Sequence, residues 1–174
     1  MKTLKNLLII ISFIIGVIQI DAQTSRLIEK RIGNTVYELD TIIFYIQNKA
    51  NKISSDEIGV CLTSIENAEL LYKDFLENFK SVFSKERAKQ LMVYMSIRCT
   101  CDSAGKIHEV GILFKNRDDF EKFTLSEIKA IEEAAKKHRT KLRSWAISCE
   151  GVKYIVITYP FTPYLLYFER PKQD

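Results

Sequence analysis

Between Met92 and Phe114 the chain writes two strands and the turn that joins them, and this stretch constrains the fold more than any other. Val93, Met95, Ile97, Cys99 and Cys101 alternate with Tyr94, Ser96, Arg98 and Thr100. Successive strand side chains point to opposite faces, so the pattern describes a strand buried on one face only. Asp102-Ser103-Ala104-Gly105 then supplies a turn with glycine at its end. Lys106 to Phe114 returns with Val110, Ile112 and Phe114 on one side. A sheet with one apolar face needs a covering layer, and helical patterns stand on either side of the hairpin. From Ile65 to Phe83, Leu70, Leu71, Phe75, Leu76, Phe79 and Phe83 recur at three or four residues, which predicts an amphipathic helix with a core-facing aromatic stripe. Thr124 and Glu127 form a capping box for a second helix ending near His138, with Leu125, Ile128, Ile131, Ala134 and Ala135 on its apolar side. Glu127, Glu132 and Glu133 are read as solvated on its outer side. The expected class is α+β, a small antiparallel sheet with two main helices packed on one face.

The flanking segments extend the sheet. Arg26 to Gln47 is strand-like, with a turn at Gly33-Asn34, a break at Asp40 and a β-branched and aromatic run over Thr41 to Ile46. Lys49 to Glu57 reads as a loop, and Ile58 to Thr63 as a short strand carrying Cys61. Ser84 and Arg87 open a short connection to Gln90. After Leu142 comes a second strand pair, Trp145 to Cys149 and Val152 to Tyr159, joined at Glu150-Gly151. Pro160 and Pro163 interrupt the ladder, so Phe161 to Phe168 is expected as an edge strand or an extended tail.

The amino end bears Lys2 and Lys5, an apolar run from Leu7 to Ile20, and Ala22 before Gln23, the three regions of a cleavable secretory signal. The run is about 14 residues, or roughly 21 Å as a helix, short of the roughly 30 Å hydrocarbon core. The expectation is export, with cleavage near Ala22, a periplasmic or extracellular location and no permanent membrane anchor. The chain divides into residues 1–22 (signal), 23–65 (a β-rich extension) and 66–170 (an α+β domain). Removing Lys2, Lys5 and Asp21 leaves 24 basic and 21 acidic residues and lowers the formal charge from +4 to +3. That is too mild a balance to suggest nucleic acid. The basic cluster Lys136, Lys137, Arg139, Lys141 and Arg143 follows Glu132 and Glu133, the order that a helix dipole favours.

All four cysteines, Cys61, Cys99, Cys101 and Cys149, lie beyond the signal. An even count in an oxidising compartment suggests disulfides. Cys99 and Cys101 share a strand face and diverge, so pairing of each with Cys61 or Cys149 is expected, without a choice between the two. A rival reading takes Cys99, Cys101 and His108 as a metal site or a cysteine–histidine pair, since thiolates suit zinc or copper. C-x-C with one histidine lacks the usual two-plus-two ligand spacing. The chain has no G-x-S-x-G, no H-E-x-x-H and no phosphate-binding glycine loop, and no cofactor is expected.

From about Tyr72 to Phe168, helix, strand, Gly-Lys turn, strand, capped helix and a last strand ending in Tyr-Pro-Phe follow one another. VYMSIRCTCDSAGKIHEVGILF, LSEIKAIEEAAKKH and SWAISCEGVKYIVITYPF resemble the TonB carboxy-terminal domain. The resemblance implies an antiparallel sheet covered by helices, and a peptide partner that joins the sheet edge as an extra strand. This chain departs from that family in its short amino-terminal run, its three prolines and its four cysteines. The aromatic carboxy end is therefore the expected partner-binding edge, with Ile155, Ile157, Tyr159, Phe161 and Tyr164 as its residues. The function expected is a non-enzymatic exported domain that binds a protein or peptide. The alternative is a small exported enzyme or metal binder using Cys99, Cys101 and His108.

Overall fold

The computed structural model describes residues 27–59, 68–140 and 152–169. The signal and its cleavage site, Cys61, Cys149, the strand expected at Trp145 to Cys149 with its Glu150-Gly151 turn, Lys141 and Arg143 lie outside these. In chain order come β1 (Leu27–Ile32), β2 (Thr35–Asp40), β3 (Tyr45–Asn48), a 3-10 turn (Ser55–Glu57), β4 (Ile58–Gly59), α1 (Ala68–Glu77) and α2 (Lys85–Gln90). Then follow β5 (Met95–Asp102), β6 (Ile107–Phe114), α3 (Arg117–Glu121), α4 (Leu125–Lys137), β7 (Tyr154–Phe161) and a 3-10 turn (Pro163–Leu166).

The α+β class is as read, but the sheet is neither small nor wholly antiparallel. Seven strands lie in the order β1-β2-β3-β6-β5-β7-β4, and β4 runs parallel to β7. The sequence pattern shows each strand's faces and says nothing of its neighbours. The amino-terminal strands therefore join the sheet on both flanks of β6-β5-β7. β3 pairs with β6 (Ile46 opposite Ile112) and β4 with the start of β7 (Ile58 opposite Tyr154).

The expected hairpin is present, with Ile97 opposite Ile112 and Cys99 opposite Val110. Its turn is set by Asp102, whose Oδ1 accepts from the backbone of Ala104 (2.9 Å) and Lys106 (3.0 Å), and by Gly105 at φ +73°. On its far side the turn is pinned to the end of α4: Thr140 N donates to Gly105 O at 2.9 Å, and Lys106 bridges Arg139.

Cross-strand register places Tyr37, Leu39, Ile46, Ile97, Cys99, Val110, Ile112, Phe114, Ile157, Tyr159 and Phe161 in one buried layer. Phe75 of α1 stacks on Tyr159 with ring centroids 4.0 Å apart, and Phe79 lies 4.7 Å from Phe161. The aromatic stripe is core, as read, although the helix is shorter than its pattern. Past Glu77 the backbone bonds tighten to i→i+3, as in Phe79 N to Leu76 O at 2.9 Å, a common way to satisfy the last carbonyls of a helix. The capping box of α4 is formed as expected, and the helix stops at His138. Ser84 caps α2, and Arg87 of α2 holds Glu127 through Nε (2.7 Å) and Nη2 (3.0 Å), joining the two helices.

Glu132 corrects the reading of the acidic residues. It is 6% exposed and accepts from Tyr37 Oη (2.6 Å), Asn48 Nδ2 (3.3 Å) and Lys136 Nζ (2.6 Å), which ties α4 to β2 and β3. A buried carboxylate is tolerated only with such a full set of donors. Burial and the bond to Glu132 push the Tyr37 hydroxyl far above its ordinary pKa.

Candidate functional site

The residues first read as a partner-binding edge sit in the core. Ile155, Ile157, Tyr159 and Phe161 are 3%, 8%, 5% and 1% exposed. The strand β7 lies between β5 and β4, but β4 pairs with it only at Tyr154 and Ile155, and among the described residues no strand lies on that side of Val156 to Phe161. The chain then leaves the ladder in a 3-10 turn, where half-buried Tyr164 stacks on Phe168 at 4.8 Å. No side chain of the first four is available to a partner, and Tyr164 is spent largely on its neighbour.

The rival group is not assembled either. Thr100 pairs with Glu109 but Cys101 with Ile107, so a bulge leaves His108 without a cross-strand partner. His108 Nε2 lies 2.7 Å from Asp102 Oδ2, and its ring meets Tyr154 edge-on. Burial alone would raise the Asp102 carboxyl, but the bonds from His108 and from the Lys106 and Ala104 amides outweigh it and lower the pKa. The pair therefore closes the hairpin turn. Cys99 and Cys101 are both fully buried and form no disulfide among the described residues; Cys61 and Cys149, their expected partners, lie outside them. Burial holds Cys99 well above its ordinary pKa and pushes Cys101 up to about 12, which leaves both protonated and poorly reactive. Among the described residues no three His, Cys, Asp or Glu side chains could hold a metal ion.

One buried titratable group has a measurable consequence. His138 is 6% exposed, its Nε2 has no hydrogen-bond partner among the described residues, and Phe75 and Tyr159 meet its ring edge-on. Burial lowers its pKa from 6.5, with Asp74 pulling weakly the other way. Above about pH 6.5 the side chain is neutral folded and unfolded; below it the unfolded chain takes the proton first. Stability should therefore be full above pH 6.5 and decline as pH falls towards the lower folded value. Urea titrations at about pH 7.5, 6.5 and 5.5 should show this decline in the wild type and a flatter profile in His138→Phe. Equal slopes in the two proteins would refute it.

The outermost strands are the two-residue β4 and, at the other border, the six-residue β1. β1 pairs only with β2, from Leu27 opposite Asp40 to Ile32 opposite Thr35, and among the described residues no strand lies on its other side. Gly33 at φ +55° makes the two-residue turn that fixes this register. Residues flanking such a turn exchange both hydrogen bonds, so Ile32, Lys30 and Ile28 direct their backbone groups to β2. Arg31, Glu29 and Leu27 direct theirs outward. Consistently, Val36 O, one residue beyond the turn-flanking Thr35, accepts from Lys49 N on the β3 side at 2.8 Å.

Beside this edge the surface is apolar. Leu27 and Ile28 at the start of β1, and Ile42 and Ile43 in the β2–β3 turn, are 59%, 41%, 56% and 55% exposed. Asp40 Oδ1 accepts from the Ile42 and Ile43 amides at 2.8 and 3.3 Å and holds both side chains outward. Near them and α3 opens a cleft of about 260 Å³ lined by Ile28, Lys30, Leu39, Phe44, Arg117 and Phe120. Phe44 lines it at φ +50°, an uncommon conformation for a bulky residue, held by Phe114 N donating to its carbonyl at 3.0 Å. Sequence reasoning passed over this edge because Leu27 to Ile32 carries three charges and no aromatic residue. The available signal was that of a strand closed by a two-residue turn with nothing strand-like paired ahead of it.

No family model matches the chain, and no curated protein matches it. Among solved structures, a DUF5043 family protein from Bacteroides uniformis ATCC 8492 superposes with a TM-score of 0.61, covering 80% of this chain and 93% of that one. The two are 17% identical, so this chain is similar in fold to the DUF5043 family protein, and the likeness extends to the fold alone.

Proposed function

We propose that this protein is an exported, non-enzymatic α+β domain that binds a protein or peptide by accepting an added strand, and that the accepting edge is β1. One observation carries the reading: β1 offers six residues of strand with one side unpaired among the described residues, next to an apolar surface and a cleft able to take side chains. Export rests on the Leu7 to Ile20 run and Ala22. Among the described residues no helix is long and apolar enough to cross a membrane. In this reading the two main helices, α1 and α4, cover one face and leave the edge free. The resemblance of residues 72–168 to the TonB carboxy-terminal domain bears on the mode of binding alone, since β1 lies outside that range.

The test is a proline that removes an outward N–H without touching the ladder to β2. Proline is tolerated on an edge strand where its missing donor faces solvent. Glu29→Pro should therefore fold, by circular dichroism, yet weaken capture of a partner recovered with the wild type by about tenfold or more. Undiminished capture by the folded variant would rule out the β1 edge.

A further inference from the structure

We infer that the strand accepted by β1 is β1 of a second copy, giving a twofold dimer in which one sheet runs through both molecules; this rests on the strand-addition reading above. The inference comes from the order of charges along Leu27–Ile32, Leu-Ile-Glu-Lys-Arg-Ile. Only Leu27, Glu29 and Arg31 point backbone groups outward, so a symmetric antiparallel pair must match these residues with one another. Three central registers are open. Centring the axis on Glu29 sets Glu29 against Glu29, and centring it on Arg31 sets Arg31 against Arg31. Both bring like charges into directly opposed positions, which is unfavourable.

Centring it on Lys30 sets Glu29 opposite Arg31 of the second copy, and Arg31 opposite Glu29 of the second copy. Those two pairs exchange four backbone hydrogen bonds, and each joins opposite charges. On the other face, Ile28 of each copy meets Ile32 of the other, which covers part of the exposed apolar surface and the mouth of the cleft that Ile28 lines. Lys30 meets its own counterpart at the axis, a like-charge contact that the two opposite-charge pairs offset and that its long stem relieves by carrying the ammonium towards water. Lys49, which already pairs with Glu29 and lies 3.6 Å from Glu38, stands on the same face as the two new ion pairs. This register sets two opposite-charge pairs against one like-charge contact, whereas each register beside it has a like-charge contact and no opposite-charge pair, the form of specificity that an isologous interface requires.

Sedimentation equilibrium of the exported chain tests this. The wild type should show a monomer–dimer equilibrium at concentrations up to about 100 µM. Arg31→Glu opposes Glu29 with a carboxylate at two symmetric places and should weaken association about tenfold or more. The exchange Glu29→Arg with Arg31→Glu restores both pairs between the copies while losing the ion pair with Lys49, and should associate more tightly than Arg31→Glu alone. Glu29→Pro should remain monomeric. A wild type monomeric throughout that range, or a charge exchange no better than Arg31→Glu alone, would overturn the dimer. In that event, partner capture lost only in Glu29→Pro would leave the edge reading standing with a different partner. Capture indifferent to Glu29→Pro would remove both.

Discussion

Gly105→Ala is expected to lower the unfolding free energy by at least about 3 kcal/mol, read from urea titrations against the wild type. Gly105 stands at φ +73°, where a side chain costs about 1 kcal/mol or more by itself. The larger effect is steric. A Cβ there would lie 1.7 Å from the carbonyl oxygen of Thr140, a backbone atom with no rotamer to escape into. Thr140 is itself held, by its amide on Gly105 O and by its hydroxyl 2.8 Å from Tyr159 Oη. Either the hairpin turn or the segment after α4 must move, and each is tied to the core through Asp102 or Tyr159. A loss below about 1 kcal/mol would mean that the turn can rearrange without disturbing the sheet.

Phe75→Ala should destabilise the protein by about 3–5 kcal/mol, the range for deleting a buried aromatic side chain. Phe75 is wholly buried, stacks on Tyr159 with the ring planes 15° apart, and meets Phe79 and His138 edge-on at 4.8 and 5.2 Å. These contacts dock α1 on β7, so the cavity would open at a joint between layers, where few neighbours can close it. Phe75→Leu keeps most of the volume and should cost less than about 1.5 kcal/mol. Equal losses for the two variants would show that the ring is not the anchor of the helix.

Local pattern foretold local structure well. The alternation of Val93 to Cys101 and the Asp-Ser-Ala-Gly turn became β5, β6 and their connection, because a period of two and a turn with glycine leave a chain few other choices. Thr124 and Glu127 marked the first turn of α4 through a contact three residues long. What was not legible is long-range. Alternating Ile155, Ile157, Tyr159 and Phe161 reveal a strand with one buried face, but not whether another strand lies beyond it, and β4 pairs there from about 95 positions earlier in the chain. The acid Glu132 could have been placed better. It stands four residues after Ile128 and three before Ala135, on the apolar side of the helix, and only its type suggested water. The bulge that turns His108 to Asp102 leaves no trace in composition, since any residue can be the extra one.

The placement of β3 beside β6 and of β4 beside β7 makes residues 27–59 a clasp around the later hairpin and its neighbouring strand. Loss of that piece would uncover β6 at Gly111 to Leu113 and the start of β7 at Tyr154 and Ile155 at once. The remnant would keep its helices and much of its apolar layer, yet present two raw ladders of amides and carbonyls, the condition under which sheets stack edge to edge into aggregates. For this chain, integrity of residues 27–59 is a matter of solubility as well as of stability.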